Sequence, residues 1–207
     1  VLPSIKKLIY SCQVGVSAFV GEISSGVITV TFNMIILNLA GNTGVAAYGV
    51  VANTSLVAVS LFNGIAQGSQ PLISRSYGRG EEQNVRSLLK MALTTALGLG
   101  VLLMIFIFFS APAVTAVFNS EHDLQLAAYA DSGLRLYFIG FLFAGINIVG
   151  TAALSAVESV KYAFCASISR GFVATIFFAF VLSACFKMTG IGLAFPAAEF
   201  ATMFITL

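Results

Sequence analysis

Apolar residues fill the chain in six long runs, and short polar or glycine-bearing connections separate them. The runs extend over Val14 to Leu39, Val45 to Ser74, Leu88 to Phe118, Leu124 to Val157, Tyr162 to Phe186, and Ile191 to Leu207. A helix crosses the hydrocarbon of a bilayer with about 20 apolar residues, so each run is read as one membrane span. The connections AGNT, YGRGEEQN, FNSEHD, ESVK and KMTG carry the turn chemistry, with Gly41, Gly78, Gly80 and Gly190 where helices stop or start. The second and fourth runs hold about thirty residues, and at roughly 1.5 Å per residue they must tilt or project beyond the hydrocarbon. Ahead of the first run, Pro3 and SIKKLI read as a short interfacial lead with Lys6 and Lys7 at the headgroups. The predicted fold class is all-α: a polytopic membrane protein of six transmembrane helices.

The polar positions inside these runs are not scattered. Asn53, Ser60, Asn63, Gln67, Gln70 and Ser74 follow one another by seven, three, four, three and four residues, which stacks them along one helix face. An amide without a partner is costly in hydrocarbon, so such a stripe is expected to face other helices or a cavity. On the fourth run Gly140, Ala144, Asn147, Thr151, Ser155 and Glu158 make a seam of small and polar residues, suited equally to close helix packing and to ligand contact. Asp131 and Arg135, four residues apart near the start of that run, are expected to form an interfacial ion pair.

Two carboxylates fall inside runs. Glu22 lies fifteen residues past Lys7, and Ser25, Gly26, Thr29 and Asn33 continue its face at three, four, seven and eleven residues. Glu199 lies nine residues past Gly190 and three past Pro196. A charge at such depth costs about 2.5–3.5 kcal/mol on insertion scales, so an acid there is neutral, paired or functional. Burial disfavours its charged form, as a proton or cation carrier requires. For each acid two readings stand. Glu22 either couples transport to an ion or, protonated, bonds a neighbouring helix; Glu199 either couples likewise or, as a neutral acid, satisfies an adjacent helix or the backbone freed by Pro196, which leaves the Gly192 carbonyl without its donor.

Composition agrees with the pattern. Of 207 residues 58% are hydrophobic and only 9% charged, with mean hydropathy +0.99; soluble domains carry about 25% charged residues. A net charge of +2 with no basic stripe gives no reason to expect nucleic acid as a partner. Lys6, Lys7, Arg75, Arg79, Arg86, Lys90, Lys161 and Arg170, eight of the ten basic residues, are assigned to one set of alternating ends, which puts that side and the start of the chain in the cytoplasm. His122, the single histidine, then lies in an outer polar loop and reads as solvated. Cys12, Cys165 and Cys185 form no CxxC pair and read as small apolar residues. A start at valine without a signal-peptide pattern, and an end inside an apolar run, lead us to expect a piece of a longer protein.

The segments AGNTGVAAYGV, NGIAQGSQPLISRSYGRG, RLYFIGFLFAGINIVGTAALSAVES and GIGLAFPAAEF resemble the second six-helix lobe of multidrug and toxin extrusion (MATE) transporters. The likeness covers essentially the whole chain, and the glycine, glutamine and proline arrangement from Gly64 to Pro71 is its most specific part. It implies that residues 1–207 form the C-terminal lobe of a twelve-helix protein, with the N-terminal lobe as the missing partner and the two lobes related as parallel repeats. It further implies exchange of organic, often cationic, drugs or toxins for protons or sodium ions by alternating access. Glu22 matches an acid that one branch of the family uses as a cation ligand. That branch also carries an aspartate where this chain reads Phe143, Ala144 and Gly145. The departure leaves the sodium site incomplete and favours proton coupling, or coupling through the other lobe.

The expected function is therefore secondary antiport across a cell membrane, the bacterial plasma (inner) membrane, with membrane lipid around the protein and a small-molecule drug or toxin as partner. Glu22 and Glu199 are the candidate coupling acids; Ser25, Thr29, Asn33, Asn53, Asn63, Gln67, Gln70, Asn147 and Thr151 are the candidate cavity lining. No cofactor beyond the coupling ion, H⁺ or Na⁺, and no bound metal is expected. A lipid-linked precursor flippase of the same superfamily is the alternative. The sequence holds no paired acids, HExxH or GxSxG, and no catalytic residue is assigned.

Overall fold

The computed structural model describes the backbone of residues 5–206 and the side chains of 23, 26–159, 161–170 and 173–206, apart from 24, 25 and 160. Its elements are α1 (Ile5–Gly78), α2 (Glu82–Phe118), α3 (Leu124–Ile139), α4 (Phe141–Ala156), α5 (Val160–Ile168), a π turn (Ser169–Val173) and α6 (Ala174–Thr206). Glu82–Phe118, Ala174–Thr206 and the stretch Gly26–Gly78 are each long and apolar enough to cross a membrane, and α3 with α4, bent by 46°, forms a fourth such unit.

Two of these units are themselves folded back on a break. At roughly 1.5 Å per residue an unbroken α1 would far exceed a 30 Å hydrocarbon layer. Gly41 interrupts it with φ 64° and ψ −158°, a region open essentially to glycine alone. In α6 the break falls at Lys187, with φ 52° and ψ −129°. Gly190 follows three residues later, where a Cβ would run into the carbonyl of Leu182. Counting both breaks, and joining α5 to the first half of α6 through the π turn, recovers six rods in the order the apolar runs predict.

The 46° bend between α3 and α4 falls at Gly140. A Cβ there would meet the Phe195 ring at 2.5 Å and the Pro196 Cα at 3.1 Å. Only a glycine lets α6 approach so closely. The thirty-residue fourth run therefore fits the membrane by bending at Gly140. Asp123 caps α3, accepting from the backbone N–H groups of Gln125 at 2.7 Å and Leu126 at 3.2 Å, the kind of cap that contributes about 1 kcal/mol.

α4 occupies the middle of the lobe and touches each of the other five helices. Phe141, Ala144, Gly145, Asn147, Ile148, Val149 and Gly150 are all buried. The largest apolar cluster joins α4 to α1, α2 and α3 through Val50, Phe62, Ala96, Ile107, Leu134 and Phe138, and reaches Phe195 of α6. Lipid is as apolar as leucine, so close packing rather than escape from water holds such helices together. Gly145 shows this: a Cβ would lie 2.5 Å from the Phe62 ring, which stacks on Phe141 with centroids 5.9 Å apart. The expected seam on this run is thus a packing seam from Gly140 to Asn147, with Thr151 half-buried and Ser155 and Glu158 exposed. Phe106, Phe108, Phe109, Phe177 and Phe180 are exposed, as lipid-facing residues would be.

The ion pair expected between Asp131 and Arg135 is absent among the described residues. Asp131 Oδ1 instead accepts from the Thr115 hydroxyl at 2.5 Å, and the Arg135 guanidinium lies over the Phe108 ring, 5.3 Å from its centroid. Thr115 is 1% exposed, so Asp131 gains a charge-assisted bond on the inner side of α3, which a solvated i,i+4 pair would not match.

Candidate functional site

The second half of α6 starts after Lys187 and brings Glu199 twelve residues in, roughly 18 Å along the axis. α5 brings Arg170 ten residues beyond Val160, roughly 15 Å from the opposite end. Both meet well inside their rods, away from the ends. Arg170 Nε donates to Glu199 Oε1 at 2.6 Å. Asn147 Nδ2, from the central helix, donates to Glu199 Oε2 at 2.7 Å and to the Glu199 backbone carbonyl at 2.8 Å. Three helices are thereby tied through one carboxylate.

Burial is uneven across the group. The Glu199 side chain is 3% exposed and that of Arg170 28%, while Asn147 is fully buried. Among the described residues Asn147 Oδ1 finds no hydrogen-bond donor. Arg170 is aimed by the π turn, whose extra residue per turn re-registers the side chains; Thr175 donates its hydroxyl to the Arg170 carbonyl at 2.6 Å. Interruptions of this kind are frequent at functional sites.

Arg170 corrects one expectation, since it does not sit among the cations at the helix ends. Glu199 bonds a guanidinium and an amide side chain on adjacent elements, one of the two structural alternatives open to it, rather than the backbone freed by Pro196. The physical reason is common to both: a charge within a low-dielectric layer is stabilised by a partner at hydrogen-bond distance far more than by a neutral carbonyl. The signal available in the sequence was a lone arginine eight residues into an apolar run.

Tyr137 stacks on Phe195, which lies one turn before Glu199 on α6, with centroids 4.1 Å apart and planes 3° from parallel. The same tyrosine lines a cavity of about 280 Å³ whose other walls include Ile36, Tyr48, Tyr129, Ser132 and Thr189. Its lining residues flank the Gly41 and Lys187 breaks and the loop before α3, so the cavity belongs to that end of the lobe.

Of the predicted site residues, the structure brings together Asn147 and Glu199. Glu22 and Ser25 lie outside the residues whose side chains are described. Asn53, Asn63 and Gln67 are exposed, as is Thr29; Gln70, Asn33 and Thr151 are half-buried. The stripe on α1 is therefore on the surface of the lobe and is not enclosed by its six rods, and Asn53 donates to its own helix at the Gly49 carbonyl, 2.8 Å away. On that exposed face the polar stripe runs beside an apolar edge of Val57, Leu61 and Leu72.

The fold is a lobe of helices long and apolar enough to cross a membrane, tied internally by one buried polar group. A family model described as MatE matches residues 18–181, and the chain belongs to the MatE family of transporters. Among solved structures, one described as MATE in complex with MaL6 superposes with TM-score 0.90 at 17% identity, covering 99% of this chain and 46% of that one. An outward-facing multidrug resistance MATE family transporter of the MOP superfamily gives 0.90 at 16%, with the same coverages. An inward-facing form gives 0.89 at 17%, covering 99% and 47%. The chain thus spans about half the length of the structures it matches. No curated protein matches the sequence.

Proposed function

We propose that the protein is a secondary antiporter that exports organic, often cationic, drugs or toxins in exchange for an ion by alternating access, with residues 1–207 as its C-terminal lobe and Glu22 and Glu199 as coupling acids. The observation that carries this reading is the carboxylate of Glu199, buried on an apolar helix and tied to α4 and the π turn. An acid in that position is expensive unless it is paired or used. Alternating access requires only that a ligand bind the two orientations of a lobe unequally. The near-equal superposition on outward- and inward-facing relatives favours motion of the lobe as one body.

Protons are the coupling ion favoured here. At the position where one branch of the family carries an aspartate, Ala144 is fully buried and Gly145 packs on Phe62, so no second acid is supplied from α4. The exposed stripe of Asn53, Asn63 and Gln67 on α1 would then line a cavity shared with the other lobe, in a bacterial plasma membrane. In vesicles containing the full-length protein, an imposed pH gradient should drive efflux of a fluorescent organic cation. Glu22→Gln and Glu199→Gln, in protein that remains monodisperse, should each abolish it; undiminished efflux in either variant removes that acid from the mechanism.

A further inference from the structure

We propose that Arg170 is a carboxylate-recognition residue: its terminal guanidinium nitrogens form a binding position for the carboxylate of an organic zwitterion carried by the protein. The inference rests on the transport reading above and adds a substrate class to it.

Arginine ordinarily takes a carboxylate as a fork, through two parallel N–H···O bonds. Here the fork is incomplete. Arg170 reaches Glu199 Oε1 through Nε, while Glu199 Oε2 is taken by Asn147. Among the described residues the two terminal nitrogens of Arg170 hold no acceptor, which leaves up to four N–H groups for a ligand.

The open side of the pair is the guanidinium. With 28% of its side chain exposed against 3% for Glu199, Arg170 is the member a ligand can touch. Escape of the side chain toward the headgroups is a competing account of that exposure. The 2.6 Å bond from Nε to an enclosed carboxylate argues against it, because this bond draws the guanidinium into the lobe. The π turn fixes the same direction from the backbone side.

Charge decides the ligand class. Glu199 already neutralises Arg170, so a bare anion would add a net negative charge in a low-dielectric layer, which is unfavourable. A zwitterion adds none.

The test uses a matched pair of xanthene dyes, one with a free carboxylate beside its cationic ring system and the other its methyl ester. Binding of each to full-length protein in detergent is read by fluorescence anisotropy, and the ratio of the two affinities is the observable. The wild type should favour the carboxylate dye by about tenfold or more, as a charge-assisted fork contributes. Arg170→Lys keeps a cation beside Glu199 but loses the planar fork, and should bring the ratio close to one. The Arg170→Gln, Glu199→Gln double variant leaves no unpaired charge and should do the same. A carboxylate preference that survives in both variants overturns the proposal, as does a wild type that binds the ester equally well. If the wild type binds neither dye, the drug-transport reading itself falls with it, so the two failures are distinguishable.

Discussion

The tie between Arg170 and Glu199 makes a quantitative demand on stability. Replacing Arg170 with glutamine leaves a 3% exposed carboxylate without its cation. Removing one member of a buried pair costs about 3–5 kcal/mol, because the remaining charge is left uncompensated. The reverse change, Glu199→Gln, should cost about 1–3 kcal/mol, since the amide oxygen still accepts from Arg170 and the guanidinium is partly exposed. With both replaced, two neutral amides can bond each other and Asn147, and stability should return to within about 1 kcal/mol of wild type. For a domain of about 200 residues, 1 kcal/mol moves Tm by roughly 2–4 °C, so Arg170→Gln should unfold roughly 6–20 °C early. The assay is the thermal midpoint of the helical circular dichroism band of full-length protein in detergent, for the wild type, both singles and the double. Singles that add within about 0.5 kcal/mol in the double would refute the reasoning, since groups that do not interact behave that way.

Two further outcomes follow from packing and bonding. Gly145→Ala forces a Cβ to 2.5 Å from the Phe62 ring and should destabilise by about 1–3 kcal/mol, whereas Gly64→Ala, with nothing within 4 Å, should not lower the same thermal midpoint. Asp131→Asn should cost about 1.5–3 kcal/mol by weakening the bond from Thr115, while Arg135→Gln should cost under about 1 kcal/mol through its contact with Phe108; equal losses in the two variants would restore the ion-pair account of these residues.

The succession of helices was legible because hydrocarbon permits few alternatives. Every backbone N–H and C=O must be satisfied within its own segment, so apolar length and glycine punctuation suffice to place the rods. Gly41 declared its break by being the residue that tolerates the required φ, and the KMTG connection declared the break in α6; that the positive φ falls on Lys187 was not legible, since nothing about lysine invites it. The bend at Gly140 was hidden for another reason: it depends on how near Phe195 comes, a contact between residues far apart in sequence. Asn147 and Glu199 could each be singled out as polar residues in apolar runs. That they meet could not, because 52 residues separate them. Arg170 was misplaced by a rule that weighs cations by their nearness to helix ends, when its depth in the run pointed inward. The stripe from Asn53 to Ser74 shows the limit of periodicity, which identifies a shared face but not what that face looks upon.

A bundle wound about one post behaves unlike a bundle of equals. Because α4 touches all five of the other helices and buries nine of its sixteen residues, a displacement of any outer rod must be shared with the axle or resisted by it, and local give is confined to the periphery. Substitutions should follow suit: α2, whose outward side holds Phe106 and Phe109, can drift among apolar residues with little effect, while the spindle from Phe141 to Gly150 admits almost no change of volume without disturbing every neighbour at once.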